Sequence, residues 1–417
     1  MPEAGMEVQV TRAGDGTVRI GGEPAGPAFT RAVLDVAGAV LTWPVLGEPV
    51  LGEPGLPVAE VHDAGRAQQW LWALYGERVA AAVHHCAAGE PGGVTVAAEV
   101  TALAGGAARL ALGHWAARWW PASYVDGMPA LEPDVLGLES ASLTHQCQQF
   151  FDGSGDQTDD CAAELIEEHQ AALDPLIHWW RAAPRPTATA RRLESVLRLV
   201  ADAADGAGLD GPALRRLRSA LELDPDPGRP AGVPLDLGAL FAGPGEYALT
   251  AGGPLVAGGR VIARGSGNND WLRYPPGFVD AAEEAVSWTA RAAGAHRRIE
   301  VEVVADAAAP AAAPLVAEVR VNGGRADRVP LARREDMWTG RADLDLPGDT
   351  VPPGIEVGVL LPGFDPGPGA PGDAAHRDTV RALARRRLAD AARPRPYDAY
   401  AGPFLAEIAA AARGEDF

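Results

Sequence analysis

The side chains best suited to chemistry form three histidine–cysteine groupings: His84-His85-Cys86, His145 with Cys147, and Cys161 with His169. Imidazole and thiolate are the donors that hold zinc, which takes four ligands in a tetrahedron. The spacing does not suit that task. Adjacent residues on a helix diverge by about 100°, and residues two apart, such as His145 and Cys147, face away from one another. No Cys-x-x-Cys and no His-Glu-x-x-His occurs. His145, Cys147, Cys161 and His169 therefore read as satisfied residues of a helical core. They are the metal-ligand candidates, but no cofactor is predicted. The run Asp152-Gly153-Ser154-Gly155-Asp156-Gln157-Thr158-Asp159 starts like a calcium loop, then places Gln157 where glycine is required and Ala163 where a bidentate Glu belongs. Thr158, Asp159 and Asp160 fit better as acceptors at a helix N-terminus. No Gly-x-Ser-x-Gly elbow is present, since Gly153-Ser154-Gly155 lacks the intervening positions. Gly265-Ser266-Gly267-Asn268-Asn269-Asp270 is glycine-rich, but Pro275-Pro276 follows closely and favours a turn between strands over a phosphate cradle. An enzymatic site in this half would draw on Asn269, Asp270, Arg273, Glu283 and Glu284. No catalytic residue is assigned.

Composition narrows the field further. The 417 residues carry 36 basic side chains, all of them arginine, against 56 acidic ones, for a formal net charge of −20. Without lysine the chain is no standard phosphate-loop NTPase, protein kinase or Schiff-base enzyme, each of which needs an ammonium at a fixed place. An Ala/Gly/Pro/Arg-rich, lysine-free chain reads as the coding bias of a GC-rich, actinobacterial genome. The acidic excess repels nucleic-acid phosphates and removes the largest sequence-independent term in their binding. No run of about 18 apolar residues predicts a membrane span. The acidic Met1-Pro2-Glu3-Ala4-Gly5 is unlike a secretory signal, and three cysteines form no disulfide framework. The expected location is the cytoplasm.

Eleven tryptophans stand out, two pairs of them adjacent: Trp119-Trp120 and Trp179-Trp180. One indole of each pair can enter a helical core while its neighbour turns outward, and an outward indole covers much apolar area at low entropic cost. Near the C-terminus Arg381, Arg385, Arg386 and Arg387 lie on a basic helix that can dock an acidic partner or neutralise the chain's own surface. These eight residues are the interaction candidates.

The elements that position them follow from periodicity. Glu7-Val8-Gln9-Val10 and Thr17-Val18-Arg19-Ile20 flank Gly14-Asp15-Gly16 and predict a hairpin. Residues 32–37 are too short to separate strand from helix, and residues 40–43 read as a strand ended by Pro44. From about residue 65 the period is helical: Trp70, Leu71, Leu74, Val79, Ala82 and Val83 share one face. Further helices are predicted near 103–119, 135–150, 161–181, 193–200 and 212–221, with Pro175 kinking or splitting the fourth. Residues 224–234 are dense in Pro and Gly and read as a domain boundary. Beyond them the period becomes two, with strands expected at 247–250, 260–264, 298–304, 315–321, 328–331, 338–346 and 355–361 and a hairpin turn at Asn322-Gly323-Gly324. The expected fold is α+β and multidomain. A mostly helical N-terminal region carries a small β element, with a hairpin-containing segment at 1–64 and a helical domain at 65–223. An antiparallel immunoglobulin-like β-sandwich follows at 235–365, then a helical C-terminal tail at 370–417.

The stretch His114-Trp115-Ala116-Ala117-Arg118-Trp119-Trp120-Pro121-Ala122-Ser123, with Pro129-Ala130-Leu131-Glu132-Pro133-Asp134 after it, resembles uncharacterised actinobacterial proteins. These belong to conflict or defence systems built around a MoxR-type AAA+ ATPase and a von Willebrand A-domain protein. The resemblance implies an accessory component that binds other proteins, the AAA+ ATPase and the von Willebrand A-domain protein among them, and it transfers no catalytic residue. The leading expectation is a non-enzymatic interaction or adaptor protein. The rivals are a metal-dependent or other hydrolase using His145, His169 and nearby carboxylates, and a small-ligand sensor with its pocket among the tryptophans.

Overall fold

The computed structural model describes residues 6–46, 55–89, 92–99, 101–151, 161–184, 186–223, 236–241, 260–293, 296–306, 309–310, 312–344, 354–364, 372–393 and 402–413. The expected boundary at 224–234, the strand at 247–250 and the acidic run at 152–159 lie outside them. The chain divides into two compact units. The first comprises Met1–Ala117, Leu131–Phe241 and Leu383–Phe417; the second comprises Arg118–Ala130 and Ala242–Ala382.

The first unit holds a six-stranded antiparallel sheet and most of the helices. Strands β1 (Met6–Arg12) and β2 (Val18–Ile20) form the expected hairpin, with Gly16 at φ 94° in its turn. Strands β3 (Arg31–Val36), β4 (Ala39–Pro44) and β5 (Val58–Val61) extend it, and β6 (Gly93–Ala98) closes the order β3-β4-β5-β2-β1-β6. The sheet is larger than the small element expected, because β6 lies inside the region read as helical. Its Gly-Val-Thr-Val start is β-branched and supplies no helical stripe. Helices α1 (Ala64–Tyr75) and α2 (Glu77–Ala88) stand between β5 and β6. The Asp63 carboxylate caps α1 by accepting from Gly65 N and Arg66 N. Gly76, at φ 87°, separates the two helices where one continuous face was expected, and a Cβ there would also press on Glu99 at 3.2 Å.

Helix α3 (Ala102–Trp119) crosses the division between units, and α4 (Pro133–Phe151), α5 (Cys161–His169), α6 (Leu173–Ala182), α7 (Ala188–Gly206) and α8 (Pro212–Glu222) follow. A 3-10 turn at Gln170–Ala172 breaks the long helix expected at 161–181. Pro175, which has no N–H to give, falls in the first turn of α6, where it is tolerated. Pro212 opens α8 in the same way. A short α9 (Leu237–Leu240) completes this stretch.

The second unit contains two antiparallel sheets. Strands β7 (Arg260–Ser266), β8 (Val286–Ala293), β9 (His296–Val304), β12 (Ala332–Arg334) and β13 (Met337–Asp343) give the order β12-β13-β9-β8-β7. Strands β10 (Val316–Val321), β11 (Ala326–Pro330) and β14 (Ile355–Leu360) give β11-β10-β14. Asn322 at φ 50° and Gly323 at φ 69° make the turn between β10 and β11 that their residue types predict. Helix α10 (Asp373–Ala392) contributes its first ten residues to this unit and the rest to the first, where α11 (Leu405–Arg413) also lies.

Candidate docking surface

Among the described side chains, the metal-ligand candidates His145, Cys147 and His169 do not converge. His169 lies across α4, its Nδ1 3.0 Å from Asp134 Oδ1. It lies so close to Gly137 that a Cβ there would meet the ring at 2.0 Å. Cys147 is 1% exposed, and burial pushes its thiol up to about 12, so it acts as a small apolar side chain. His145 is half-buried and two residues from Cys147 on the same helix, and Cys161 opens α5. Among the described residues no group of three or more His, Cys, Asp or Glu side chains comes close enough to share a metal ion.

The tryptophan pairs do not divide into one inward and one outward ring. Trp179 and Trp180 are both buried, with Trp179 edge-on to Phe241 at a centroid separation of 5.9 Å. Trp119 is buried beneath the Arg118 guanidinium, and Trp120 is half-buried with its Nε1 donating to Pro129 O at 2.9 Å. The outward indole belongs to Trp72 on α1, 62% exposed. The cleft lined by Trp119, Trp120, Trp271, Tyr274 and Pro276 measures about 40 Å³. That is room for a water or two.

The tail arginines separate as well. Arg387 is buried and forks onto Glu407 at 2.5 and 2.7 Å, while Glu407 also accepts from Phe404 N. Arg381 is buried, donating to Ala281 O, Asp378 and Glu283. Arg385 and Arg386 stay exposed. Two of the four residues expected on an outward basic face are therefore spent inside, because each has a carboxylate to satisfy it.

The residues picked out at 269–284 do gather, in a network that is mostly internal. Asn269 is fully buried, donates to Asp280 O and Ala282 O, and accepts from the Tyr274 hydroxyl. Asp270 caps a 3-10 turn through Leu272 N, and burial raises its pKa. Arg273 pairs with Glu318 at 2.8 Å. Burial opposes ionisation of Glu283, but hydrogen bonds from Arg377 and Arg381 outweigh it and hold the carboxyl below its usual value. Glu284 is exposed. The buried Asp280 carboxylate, missed in the sequence, accepts from Ser123 Oγ, Tyr124 N, Val125 N and Ala282 N. It fixes the turn at 123–128, from which Tyr124 projects at 68% exposure. These groups answer one another and the backbone, which is structural work.

An open arrangement occurs between α6 and α8, which pack together in the first unit. Asp174, Ile177, His178 and Arg181 recur at i, i+3, i+4 and i+7 on α6, and Pro212, Arg215, Arg216 and Ser219 repeat that spacing on α8. These two stripes line a groove of about 580 Å³. The apolar partners of each stripe, Leu173, Leu176, Leu214 and Leu217, are buried beneath and hold the helices together. Arg216 reaches across to Asp174 as a fork, at 2.7 and 2.5 Å. This pairing raises the pKa of Arg216. Arg215 pairs with Asp210 at 2.7 Å. Arg181 and His178 are exposed, and neither has a hydrogen-bond or ion-pair partner among the described residues. The walls are thus pre-ordered by one cross-groove pair and present donors that no described residue answers.

No family model matches the chain, and no curated protein or solved structure matches it. No helix among the described residues is long and apolar enough to cross a membrane.

Proposed function

We propose that the chain is a non-enzymatic interaction protein, an adaptor that captures an acidic segment of a partner protein in the α6–α8 groove. The observation that carries this reading is Arg181 with His178: a cation and an imidazole exposed along the groove between two ordered helices. Guanidinium groups favour carboxylates because their planar fork can give two charge-assisted hydrogen bonds at once. The volume falls within the range of about 300–1,000 Å³ typical of ligand sites, wide enough for side chains of an extended or helical segment. In this reading the partner belongs to a multi-protein bacterial defence or conflict system in the cytoplasm. A AAA+ ATPase and a von Willebrand A-domain protein are the first candidates, supported by the resemblance over residues 114–134. The second unit's five- and three-stranded sheets are read as the halves of an immunoglobulin-like sandwich. The alternating buried Val301 and Val303, Ala317 and Val319, and Val357 and Val359 support that reading.

The test mixes each purified candidate with the full chain and with the Arg181→Glu/Arg215→Glu double variant. Binding that weakens about tenfold or more in the variant, for about 1.4 kcal/mol, is the expected outcome. A partner bound equally well by both proteins removes the groove from the account.

A further inference from the structure

The edges of the three sheets differ in a way that points to a second copy of this chain. Sheets leave unpaired N–H and C=O groups along their outer strands, and charged residues, prolines and bulges commonly keep those groups from pairing with other chains. Among the described residues, five of the six sheet edges follow that pattern. β3 carries Arg31 and Asp35, β12 carries Arg333 and Arg334, β11 carries Asp327, Arg328 and Pro330, and β14 carries Glu356. β7 carries Arg260 and Arg264 and is bulged between Val261 and Ala263. The sixth edge, β6, reads Gly93-Val94-Thr95-Val96-Ala97-Ala98, with no charge, no proline and no register shift.

The hydrogen-bond phase of β6 is set by its pairing with β1. Arg12 N donates to Gly92 O at 2.9 Å, so even-numbered residues of this strand turn their peptide groups toward β1. Gly21 N donates to Gln9 O, which independently places Gln9 toward β2 and Val8 and Val10 toward β6. The peptide groups of Gly93, Thr95 and Ala97 therefore point off the sheet edge, and no described residue receives them. An antiparallel copy related by a two-fold axis at Thr95 sets Thr95 opposite itself and Gly93 opposite Ala97. All six outward groups of these three residues then pair. The same register sets Val94 opposite Val96 twice, on the face that also bears Val8 and Met6. Val94 is 40% exposed as the chain stands, so a second strand would cover apolar surface as well as backbone.

We propose that two copies of the chain join through β6, antiparallel and centred on Thr95, to make one continuous twelve-stranded sheet. A strand this short buries less than a permanent interface needs, so the dimer is concentration-dependent. Two chains of net charge −20 repel one another, so added salt strengthens it by screening.

Sedimentation velocity on the full chain, across protein concentration and at about 0.05 and 0.5 M salt, tests this. A reversible monomer–dimer equilibrium that tightens with salt is expected. Thr95→Lys places like charges opposite each other and weakens that equilibrium by about tenfold or more. Thr95→Cys gives, on oxidation, a disulfide joining the substituted positions of the two copies, located by peptide mapping, because directly paired Cα atoms lie within disulfide reach. A monomer at every concentration overturns the proposal. So does a dimer that Thr95→Lys leaves intact while Thr95→Cys fails to cross-link.

Discussion

Arginines of the first unit do two kinds of work on one helical scaffold. Arg109 and Arg192 converge on Glu139, which is fully buried and also accepts from Leu405 N at 2.7 Å. Arg387 closes on Glu407, and the guanidinium groups of Arg109 and Arg387 both lie against the Phe404 ring. These cations are answered several times over and pin α11 to α4. The arginines of the α6–α8 groove are exposed, paired at most once among the described residues, or in the case of Arg181 not at all. Residue type is the same in both places. Desolvation separates them: a buried guanidinium must be fully matched, whereas an exposed one keeps its capacity for a partner.

The largest expected effect comes from breaking the buried set. Glu139→Ala leaves the buried Arg109 and the half-buried Arg192 facing one another and deprives Leu405 N of its acceptor. It should cost about 3–5 kcal/mol in denaturant unfolding and free the C-terminal helix to proteolysis first. Gly137→Ala tests the half-buried His169 that packs against it. Its new methyl collides with the His169 ring, for a loss of about 1–3 kcal/mol. The double variant Gly137→Ala/His169→Ala should recover part of that loss; strict additivity would mean the ring had already moved aside.

Acid sharpens the comparison. Burial resists ionisation of Glu139, but Arg192 and Arg109 outweigh it and hold the folded carboxyl below its ordinary value. A depressed folded pKa stabilises above the unfolded value of about 4.3, and that contribution is lost as pH falls through the folded one. The melting temperature should therefore decline on acidification below about pH 4.5, and Glu139→Gln should flatten that decline. At the other end of the scale, Arg216→Ala removes a pair whose partners are more than half exposed. It should leave the melting temperature unchanged within error, while loosening the groove wall enough to show in partner binding.

Much of this architecture is legible in residue order. The stripes at 65–83, 103–119 and 193–200 mark helices because apolar side chains recur at helical spacing. Alternation at 298–304 and 315–321 marks strands, and Asn322-Gly323 marks its hairpin because both positions need positive φ. The misses have physical causes. β6 and β8 are uncharged or mixed segments whose strand character comes from neighbours supplied by distant parts of the chain. The division at Gly76 depends on a left-handed backbone turn that Glu99 helps to enforce. Outward and inward tryptophans cannot be told apart by adjacency alone, since α6 is covered on the sides that carry both Trp179 and Trp180. The groove is the most instructive omission. Its two i, i+3, i+4, i+7 stripes are written plainly in α6 and α8, but only the packing of those helices shows that they face each other.

The central claim is tested most directly by titrating the full chain with a fluorescent, glutamate-rich peptide and following anisotropy. Saturable binding is expected that is lost in Arg181→Glu/Arg215→Glu and survives in Arg385→Glu/Arg386→Glu on the tail. No binding to the wild-type chain, or binding lost in the tail variant and kept in the groove variant, would contradict it.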